Sequence, residues 1–304
     1  MNNSSSGFSH SALAFLAVIL AAILSGGTPA FTKIGVGEFQ PFTFIFIRFV
    51  LSIIFFIPLI VRAVRKYGKE LFPVVILSLL STANIILFTL GVKRTTATVS
   101  QMIYAVVPIS SAVFSAWLLK ENISRQKIGG IVLGLLGMGL IVLLPVVNQM
   151  SRFSGDLTGN LMIVVGAISF SIYSVLSKRL QKKFSPIVLT GIFLLTTAIV
   201  SGMLSLTETT NYFELWNDVT LRAWISLAYV ASLGTAVFYY LYQYAIKHGS
   251  PVIASTTLYL APATAFAWAF VLLGERLTMT FGIGAIVTLT GAWLVTRSHR
   301  VQSR

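Results

Sequence analysis

The chain has 304 residues, of which 56% are hydrophobic and 10% are charged, and its mean hydropathy is +0.88. Soluble domains average about 25% charged residues, so this composition excludes an ordinary soluble protein and predicts an integral membrane protein. The net charge of +14 is distributed between long apolar runs, where it sets orientation in a bilayer and implies no nucleic-acid partner. Cysteine is absent, which excludes a disulfide framework and a thiolate metal site, and no cofactor is predicted.

Ten apolar runs follow one another along the chain, almost all close to the ~20 residues that a helix needs to cross the hydrocarbon core. The first run lacks the basic start and the cleavage site of a signal peptide, so we expect it to remain in the mature protein. Short polar breaks leave no room for a soluble domain, and the predicted fold is an all-α membrane protein. The runs cover residues 11–32, 41–61, 71–91, 97–119, 127–147, 158–177, 186–206, 222–245, 251–273 and 280–296.

The Lys and Arg residues between the runs predict the orientation. If the N-terminus is inside, fifteen of these cations lie on the inner side and six on the outer side, with Arg48 left inside the second run. Cytoplasmic segments carry the excess of Lys and Arg. We therefore expect both termini in the cytoplasm of a multi-pass protein of the cell inner membrane, with the lipid bilayer as its first partner.

The two halves of the chain match each other. A shift of 154 residues aligns Pro108 with Pro262, Glu121 with Glu275, Lys93 with Lys247, Gly130 with Gly284 and Gly137 with Gly291, and a shift of 145 residues aligns Lys33 with Lys178 and Pro41 with Pro186. Each unit has five predicted helices, so the second unit enters the membrane in the opposite sense. The sequence predicts two inverted repeats, residues 11–147 and 158–296, an arrangement that secondary transporters use for alternating access.

These repeated residues resemble a known family. Each unit has a proline in its fourth helix, then a Leu-Leu-x-Glu ending, a Ser or Thr three residues on, and a glycine-spaced helix, as in the EamA-type members of the drug/metabolite transporter superfamily. The stretch "PFTFIFIRF", residues 41–49, is similar to the second-helix motif of that family. The resemblance implies a ten-helix metabolite transporter whose cavity is lined mainly by helices one, three, four, six, eight and nine. The stretch "SGGTPAFTK" departs from the Trp-Gly pair common in the first helix of the family.

Arg48 is a candidate substrate contact, because an ionised guanidinium inside the membrane must find a partner or water. It can read a substrate carboxylate by a bidentate contact. The alternative interpretation is structural: Arg48 snorkels or pairs with backbone carbonyls and fixes the second helix.

Three prolines are candidate hinges. Pro108 and Pro262 remove helical hydrogen bonds at equivalent places of the two repeats, which favours paired hinges for alternating access, with fixed kinks as the alternative. Pro29, beside Gly26 and Gly27, suggests a loosened first helix, although close packing by small residues also explains the glycines.

Polar and aromatic residues within the runs are candidates for the substrate surface, since buried amides and hydroxyls need partners that a substrate can provide. Interhelical hydrogen bonding and interface tyrosines are the alternative interpretation. The candidates are Asn84, Gln101, Tyr104, Tyr173, Tyr239, Tyr240, Gln243 and Tyr259.

Glu121 and Glu275 lie at helix ends, next to a cation, with Ser124 and Thr278 three residues later as expected N-caps. We interpret each motif as a structural corner. Proton relays use membrane-embedded Asp, Glu or His, and the ten runs carry none away from their ends. The sequence therefore predicts facilitated diffusion or exchange, with proton-coupled export as the alternative.

An exporter of amino acids or related small metabolites is the first functional prediction, because the candidate lining is rich in aromatic and amide groups and has one cation. A nucleotide-sugar or drug carrier of the same superfamily is the alternative, and a nucleotide sugar would need several cations, for which Lys33, Lys93, Arg94 and Lys247 are the only nearby supply. A membrane enzyme is not predicted, because the three histidines, His10, His248 and His299, lie near a terminus or a helix end. No charge ring or filter-like loop indicates a channel. Either a monomer or a homodimer is compatible with the sequence.

Overall fold

The computed structural model describes residues 10–120, 124–143, 155–208, 219–255 and 257–300, and the regular elements in those ranges are all helical. Seven helical stretches there are long and apolar enough to cross a membrane, and two shorter apolar helices, Ala261–Leu273 and Met279–Val295, follow them. The chain is therefore a helical integral membrane protein, as its composition predicts.

Several helices of the first half begin with a proline in the first turn, where the missing N–H needs no intrahelical partner. Pro41–Arg94 is one helical stretch of 54 residues, in which 3-10 turns occur at Ile54–Phe56 and Gly68–Leu71. A straight helix of that length would measure about 80 Å, more than twice the hydrocarbon core. The predicted polar break between runs 41–61 and 71–91 is therefore helical rather than a loop. The helices are α1 His10–Gly26, α2 Thr28–Glu38, α3 Pro41–Ile53, α4 Ile57–Tyr67, α5 Phe72–Arg94, α6 Ala97–Ile103, α7 Val106–Leu119 and α8 Arg125–Val142.

The second half continues the pattern with long apolar helices whose ends lie within a few residues of the predicted runs. Side-chain N-caps begin three of them: Asp156 accepts from Thr158 N at 2.9 Å, Thr220 from Ala223 N at 3.4 Å and Thr278 from Phe281 N at 3.2 Å. The helices are α9 Leu157–Leu180, α10 Pro186–Ser205, α11 Leu221–Ala231, α12 Phe238–His248, α13 Pro251–Ser255, α14 Thr257–Leu273 and α15 Met279–Arg300, with a π-helical segment, Ser232–Val237, between α11 and α12.

Three predicted runs are interrupted inside the bundle. The first is broken at Gly27, just before Pro29, and the eighth contains the π-helical segment. The fourth is broken between Ile103 and Val106, because Pro108 has no N–H to donate to the carbonyl of Tyr104 four residues earlier. Val107 N donates to that carbonyl instead, at 3.0 Å. The sequence analysis gave each run as one span, with a loosened first helix near Pro29 and a hinge or kink at Pro108, and it gave no sign of the π-helical segment.

Helices α8 and α15 pack backbone to backbone through small residues. A Cβ added at Gly130 would lie 2.7 Å from Gly291 O, and one added at Gly137 would lie 2.8 Å from Gly284 O. The reverse contacts are as close, with Gly284 3.2 Å from Gly137 O and Gly291 2.6 Å from Gly130 O. Only residues without a side chain allow this approach, which is the usual way that membrane helices associate.

Two lysine side chains bind the C-terminal carbonyls of a neighbouring helix. Lys33 Nζ donates to Val92 O at 3.3 Å and also to Thr95 O, at the end of α5. Lys178 Nζ donates to Ile246 O at 2.6 Å and to Gly249 O at 2.9 Å, at the end of α12. Cations at helix C-termini are favoured by the exposed carbonyls and the helix dipole. The two lysines are 145 residues apart in the sequence, and the acceptors Val92 and Ile246 are 154 residues apart. These are the two shifts that align the halves of the chain.

The remaining pairings bring the interrupted helices to the middle. Helix α1 packs against α12 and α14, while α9 packs against α5 and α7. Helix α3 packs against α10, and α8 packs against α15. The polar side chains of α5, α6, α9 and α12 therefore face a shared centre.

Candidate functional site

Tyr104 and Asn84 form the first part of the buried centre. The Tyr104 hydroxyl donates to Asn84 Oδ1, and the Tyr104 ring packs edge-on against Phe88, with 5.1 Å between centroids. Tyr104 lies at the interruption between α6 and α7, so the break places its ring in the bundle rather than along a continuous helix face. One turn earlier, Gln101 is 4% exposed and its Nε2 is buried without a hydrogen-bond partner.

Gln243 and Tyr173 form the second part. Gln243 Nε2 donates to Tyr173 Oη at 2.8 Å, and Gln243 Oε1 accepts from Gln181 Nε2 at 2.6 Å. Nearby, Ser174 and Tyr242 are joined through their hydroxyls at 3.1 Å. Gln181 is 2% exposed although the sequence analysis placed it in a polar break. The sequence around Gln181, "KRLQKK", is cationic and gave no indication that this residue is buried. In the structure α9 extends three residues beyond the predicted run, as far as Leu180, and Gln181 follows it directly.

Aromatic rings connect these polar pairs. Phe193 is fully buried and lies 4.6 Å from Tyr239, 5.8 Å from Tyr173 and 5.6 Å from Phe49, measured between ring centroids. Phe170 packs edge-on against Tyr239 at 6.0 Å. The sequence analysis missed Phe193 and Phe170, since phenylalanines in an apolar run do not reveal which ones face the centre. The result is a packed cluster of aromatic rings with hydroxyl and amide groups at its edges.

Arg48 lies at the same centre and is 2% exposed. Its Nε donates to Thr235 Oγ1 at 2.6 Å, and Thr235 Oγ1 donates in turn to Val230 O at 2.6 Å. Ser52, one turn along α3, donates to Ala231 O at 2.7 Å, so α3 is fastened at two points, to the π-helical segment and to the last residue of α11. Segments of π-helix occur often at functional sites, and here one of them holds the cation.

The remaining candidates of the sequence analysis lie elsewhere. Tyr240 is partly buried and pairs with Tyr244 at 6.4 Å, outside the hydrogen-bonded groups. The side chain of Tyr259 lies outside the described residues. Pro29 and Pro108 lie in the first turn of α2 and of α7, beside a helix interruption, while Pro262 lies inside α14.

Three glutamates bind the N-termini of helices that are distant in sequence. Glu275 accepts from Ala97 N at 2.8 Å and Thr98 N at 2.9 Å, and Glu208 accepts from Phe42 N and Thr43 N, both at 2.7 Å.

Glu38 accepts from Thr220 N at 2.7 Å in the same way. The expected N-caps are also present, with Ser124 accepting from Lys127 N at 3.3 Å and Thr278 from Phe281 N at 3.2 Å. Glu121 lies outside the described residues. The geometry of Glu275 agrees with a structural corner, because its carboxylate closes the start of α6.

The ion pairs of the described residues join exposed side chains. Asp156 pairs with Arg94 at 2.8 Å, and the Thr158 backbone N–H together with Arg94 lowers the pKa of Asp156 below its usual value. The residues that the structure describes contain no group of three or more His, Cys, Asp or Glu side chains that could hold a metal ion. The buried centre brings together hydroxyl and amide groups, aromatic rings and the Arg48 cation.

Comparison with known proteins identifies the family of this helical membrane protein. The model of the EamA-like transporter family matches residues 12–143 and 157–297. The chain belongs to this family, within the drug/metabolite transporter superfamily, which transports small molecules across membranes.

Relatives in several microorganisms agree with this assignment. An uncharacterized transporter of Archaeoglobus fulgidus is 28% identical over 92% of this chain and 96% of its own length. The uncharacterized transporter YdfC of Bacillus subtilis is 30% identical over 68% of this chain and 64% of its own length. A crystal structure of a protein with 18% identity covers 97% of this chain and 99% of that one with a TM-score of 0.65, which shows a shared fold.

Proposed function

We propose that this protein is a secondary transporter that exports amino acids or related small metabolites by alternating access. The observation that carries the proposal is the centre formed by Tyr104, Asn84, Tyr173, Gln243 and Arg48, where amide, hydroxyl and guanidinium groups meet inside an apolar bundle. A zwitterionic or polar metabolite needs such groups to replace its hydration when it leaves water. The aromatic rings around them supply an apolar surface for the rest of the molecule.

The proposed topology is ten membrane helices in two inverted five-helix repeats, 11–147 and 158–296, with both termini in the cytoplasm. The glycine contacts between α8 and α15 support it. If the two repeats are exchanged by the shift of 154 residues, the contact of Gly130 with Gly291 O becomes that of Gly284 with Gly137 O. The lysine bonds of Lys33 and Lys178 support it in the same way. Lys120 and Gly274, 154 residues apart, also share a positive φ, 58° and 64°. The excess of Lys and Arg on one side supports the orientation.

Pro108, Pro262 and Pro29 are the proposed hinges. Each lies in or beside a helix that packs near the centre, and Pro29 and Pro108 adjoin an interruption where the helix can bend without breaking a full set of hydrogen bonds. Close packing limits the movement of the first helix at Gly26, where an added Cβ would lie 1.8 Å from Thr264 Oγ1.

We propose facilitated transport or exchange rather than coupling through a buried carboxylate. In the described part of the chain, Glu38, Glu208 and Glu275 are engaged with helix N-termini, where a carboxylate stabilises the exposed N–H groups. A proton-coupled exporter would need one of these groups, or another, to exchange protons with both sides.

A nucleotide-sugar carrier is a weaker fit. Two of the cations that could bind a diphosphate are bonded to backbone carbonyls, Lys33 to the end of α5 and Lys247 to Gln181 O. Arg94 is paired with Asp156. At the buried centre, Arg48 gives one charge to a group that carries two or more, and Lys93, at the end of α5, is the remaining cation of the four.

The proposed location is the cell inner membrane, and the proposed activity needs no catalytic residue. The test is efflux from proteoliposomes that contain only this protein, preloaded with amino acids, nucleotide sugars and cationic drugs, without an ion gradient, and analysed by mass spectrometry. Selective and saturable loss of amino acids supports the proposal. Loss of nucleotide sugars or drugs instead, or loss only after a proton gradient is imposed, would contradict its substrate or its uncoupled mechanism respectively.

A further inference from the structure

Arg48 is a buried cation with part of its hydrogen-bonding capacity unused. The side chain is 2% exposed, its Nε donates to Thr235, and its Nη1 is buried without a partner. A guanidinium carries five N–H donors and stays ionised, so it strongly favours an acceptor with negative charge. Thr235 supplies a neutral oxygen only.

The protein's own carboxylates do not provide that charge in the part of the chain that the structure describes. Each of the five described acidic side chains contacts another group, and none of these contacts involves Arg48. The other three acids, Glu121, Glu214 and Asp218, lie between the predicted apolar runs. The five described acids are Glu38, Glu70, Asp156, Glu208 and Glu275.

The surroundings of Arg48 are suited to a ligand rather than to a further protein partner. The Tyr104 and Tyr239 hydroxyls lie within electrostatic range of the guanidinium, and the Tyr104 proton is already donated to Asn84. Thr235 holds one edge of the guanidinium at the π-helical segment, which leaves Nη1 for a second acceptor. Nη1 has no exposed surface here, so access requires the bundle to open.

We propose that Arg48 is the anchor for a carboxylate of the transported compound, with Thr235 as its positioning residue. This inference rests on the proposed function and narrows it to substrates that carry a carboxylate. One guanidinium matches the single charge of a carboxylate and offers it two parallel donors, whereas a diphosphate needs further cations. The rings of Phe193 and Tyr239, 4.6 Å apart between centroids, give the centre an apolar surface that an apolar side chain of the substrate would contact when the bundle opens.

The structural alternative, in which Arg48 only fastens α3 to the π-helical segment, makes a different prediction for one pair of variants. Thr235→Asp places a carboxylate next to the guanidinium, and Thr235→Asn has nearly the same shape without the charge. If Arg48 is only structural, an added counterion is harmless or stabilising. If Arg48 binds a substrate carboxylate, the internal carboxylate of Thr235→Asp competes with the substrate.

The experiment measures efflux from proteoliposomes of leucine, glutamine and phenylalanine, each beside its α-amide, with leakage from protein-free liposomes subtracted. We expect the unmodified protein to export at least one acid about tenfold faster than its amide, because a hydrogen bond to a charged group is lost in the amide. We expect Thr235→Asp to lose this preference and Thr235→Asn to retain it.

Equal or faster export of the amides by the unmodified protein would overturn the anchor, as would an acid preference that survives in Thr235→Asp. The comparison of acid with amide in the unmodified protein decides the matter if Thr235→Asp fails to fold. If the protein exports only compounds without a carboxylate, the anchor is refuted but the protein is still a carrier. If it exports none of these compounds and none of the amino acids, nucleotide sugars and drugs tested above, the proposed function is refuted as well.

Discussion

Replacement of Glu275 tests the interpretation of the corner between α14 and α15 as structural. Glu275 is 6% exposed and accepts three hydrogen bonds, from Ala97 N, Thr98 N and Thr98 Oγ1, the last at 2.7 Å. A hydrogen bond to a charged group contributes about 1.5–3 kcal/mol, and loss of an N-cap costs about 1 kcal/mol. These contributions overlap, so we expect Glu275→Ala to lower the free energy of unfolding by about 3 kcal/mol.

Glu275→Gln keeps one oxygen acceptor and loses the charge, for which we expect a loss of about 1–2 kcal/mol. The assay is thermal unfolding of the purified protein in detergent, where about 2 °C per kcal/mol corresponds to a decrease of roughly 6 °C for Glu275→Ala. Glu70→Ala is the matched control, since Glu70 is 56% exposed and pairs with Lys183 at 3.0 Å. An exposed pair contributes about 0–1 kcal/mol.

A melting temperature of Glu275→Ala equal to that of Glu70→Ala would refute this reasoning. Transport separates the two functional interpretations of the same residue. Folded Glu275→Gln retains transport with an unchanged pH profile if the corner is structural. A selective loss of transport driven by a pH gradient would instead assign proton coupling to Glu275.

Three further predictions concern packing, the centre and the hinge. Gly137→Ala should lower the free energy of unfolding by about 1–3 kcal/mol, because the new Cβ would lie 2.4 Å from Thr288 N. Gly139→Ala is the control and should leave the stability unchanged, since its Cβ would have nothing within 4 Å; thermal unfolding of both variants checks this. Gln243→Leu should reduce export at least about tenfold, because the Tyr173 hydroxyl loses its donor and Gln181 Nε2 keeps only the backbone carbonyl of residue 243 as acceptor, whereas Tyr240→Phe should transport normally; equal rates would contradict the centre. Pro108→Ala should slow exchange while binding persists, and unchanged rates in both directions would end the hinge interpretation.

The sequence predicted the helices that appear as long apolar runs separated by short polar breaks. Matched Pro, Glu, Lys and Gly residues in the two halves indicated which helices correspond, and Gly137 and Gly284 do meet at a close interface. Arg48, Asn84, Tyr104, Tyr173, Tyr239 and Gln243 were all singled out as polar or aromatic residues in apolar runs, and the structure buries them.

The remaining features depend on tertiary contacts that no local pattern reveals. The π-helical segment Ser232–Val237 forms where Thr235 and Ala231 are bonded to α3, far away in the sequence. Gln181 is buried because Gln243 and Lys247 of another helix reach it, although its neighbours along the chain are cations. Glu208 lies just after the predicted run 186–206, and only the structure shows that it binds the start of α3.

The measurement that tests the central claim most directly is counterflow without an ion gradient. Proteoliposomes are loaded with an excess of unlabelled leucine, the same pH is kept on both sides, and uptake of external labelled leucine is followed over time. An alternating-access carrier around one buried centre predicts transient accumulation of label that disappears when the internal leucine is omitted. Label that equilibrates at the same rate with and without internal leucine would indicate a channel-like pathway and contradict the account.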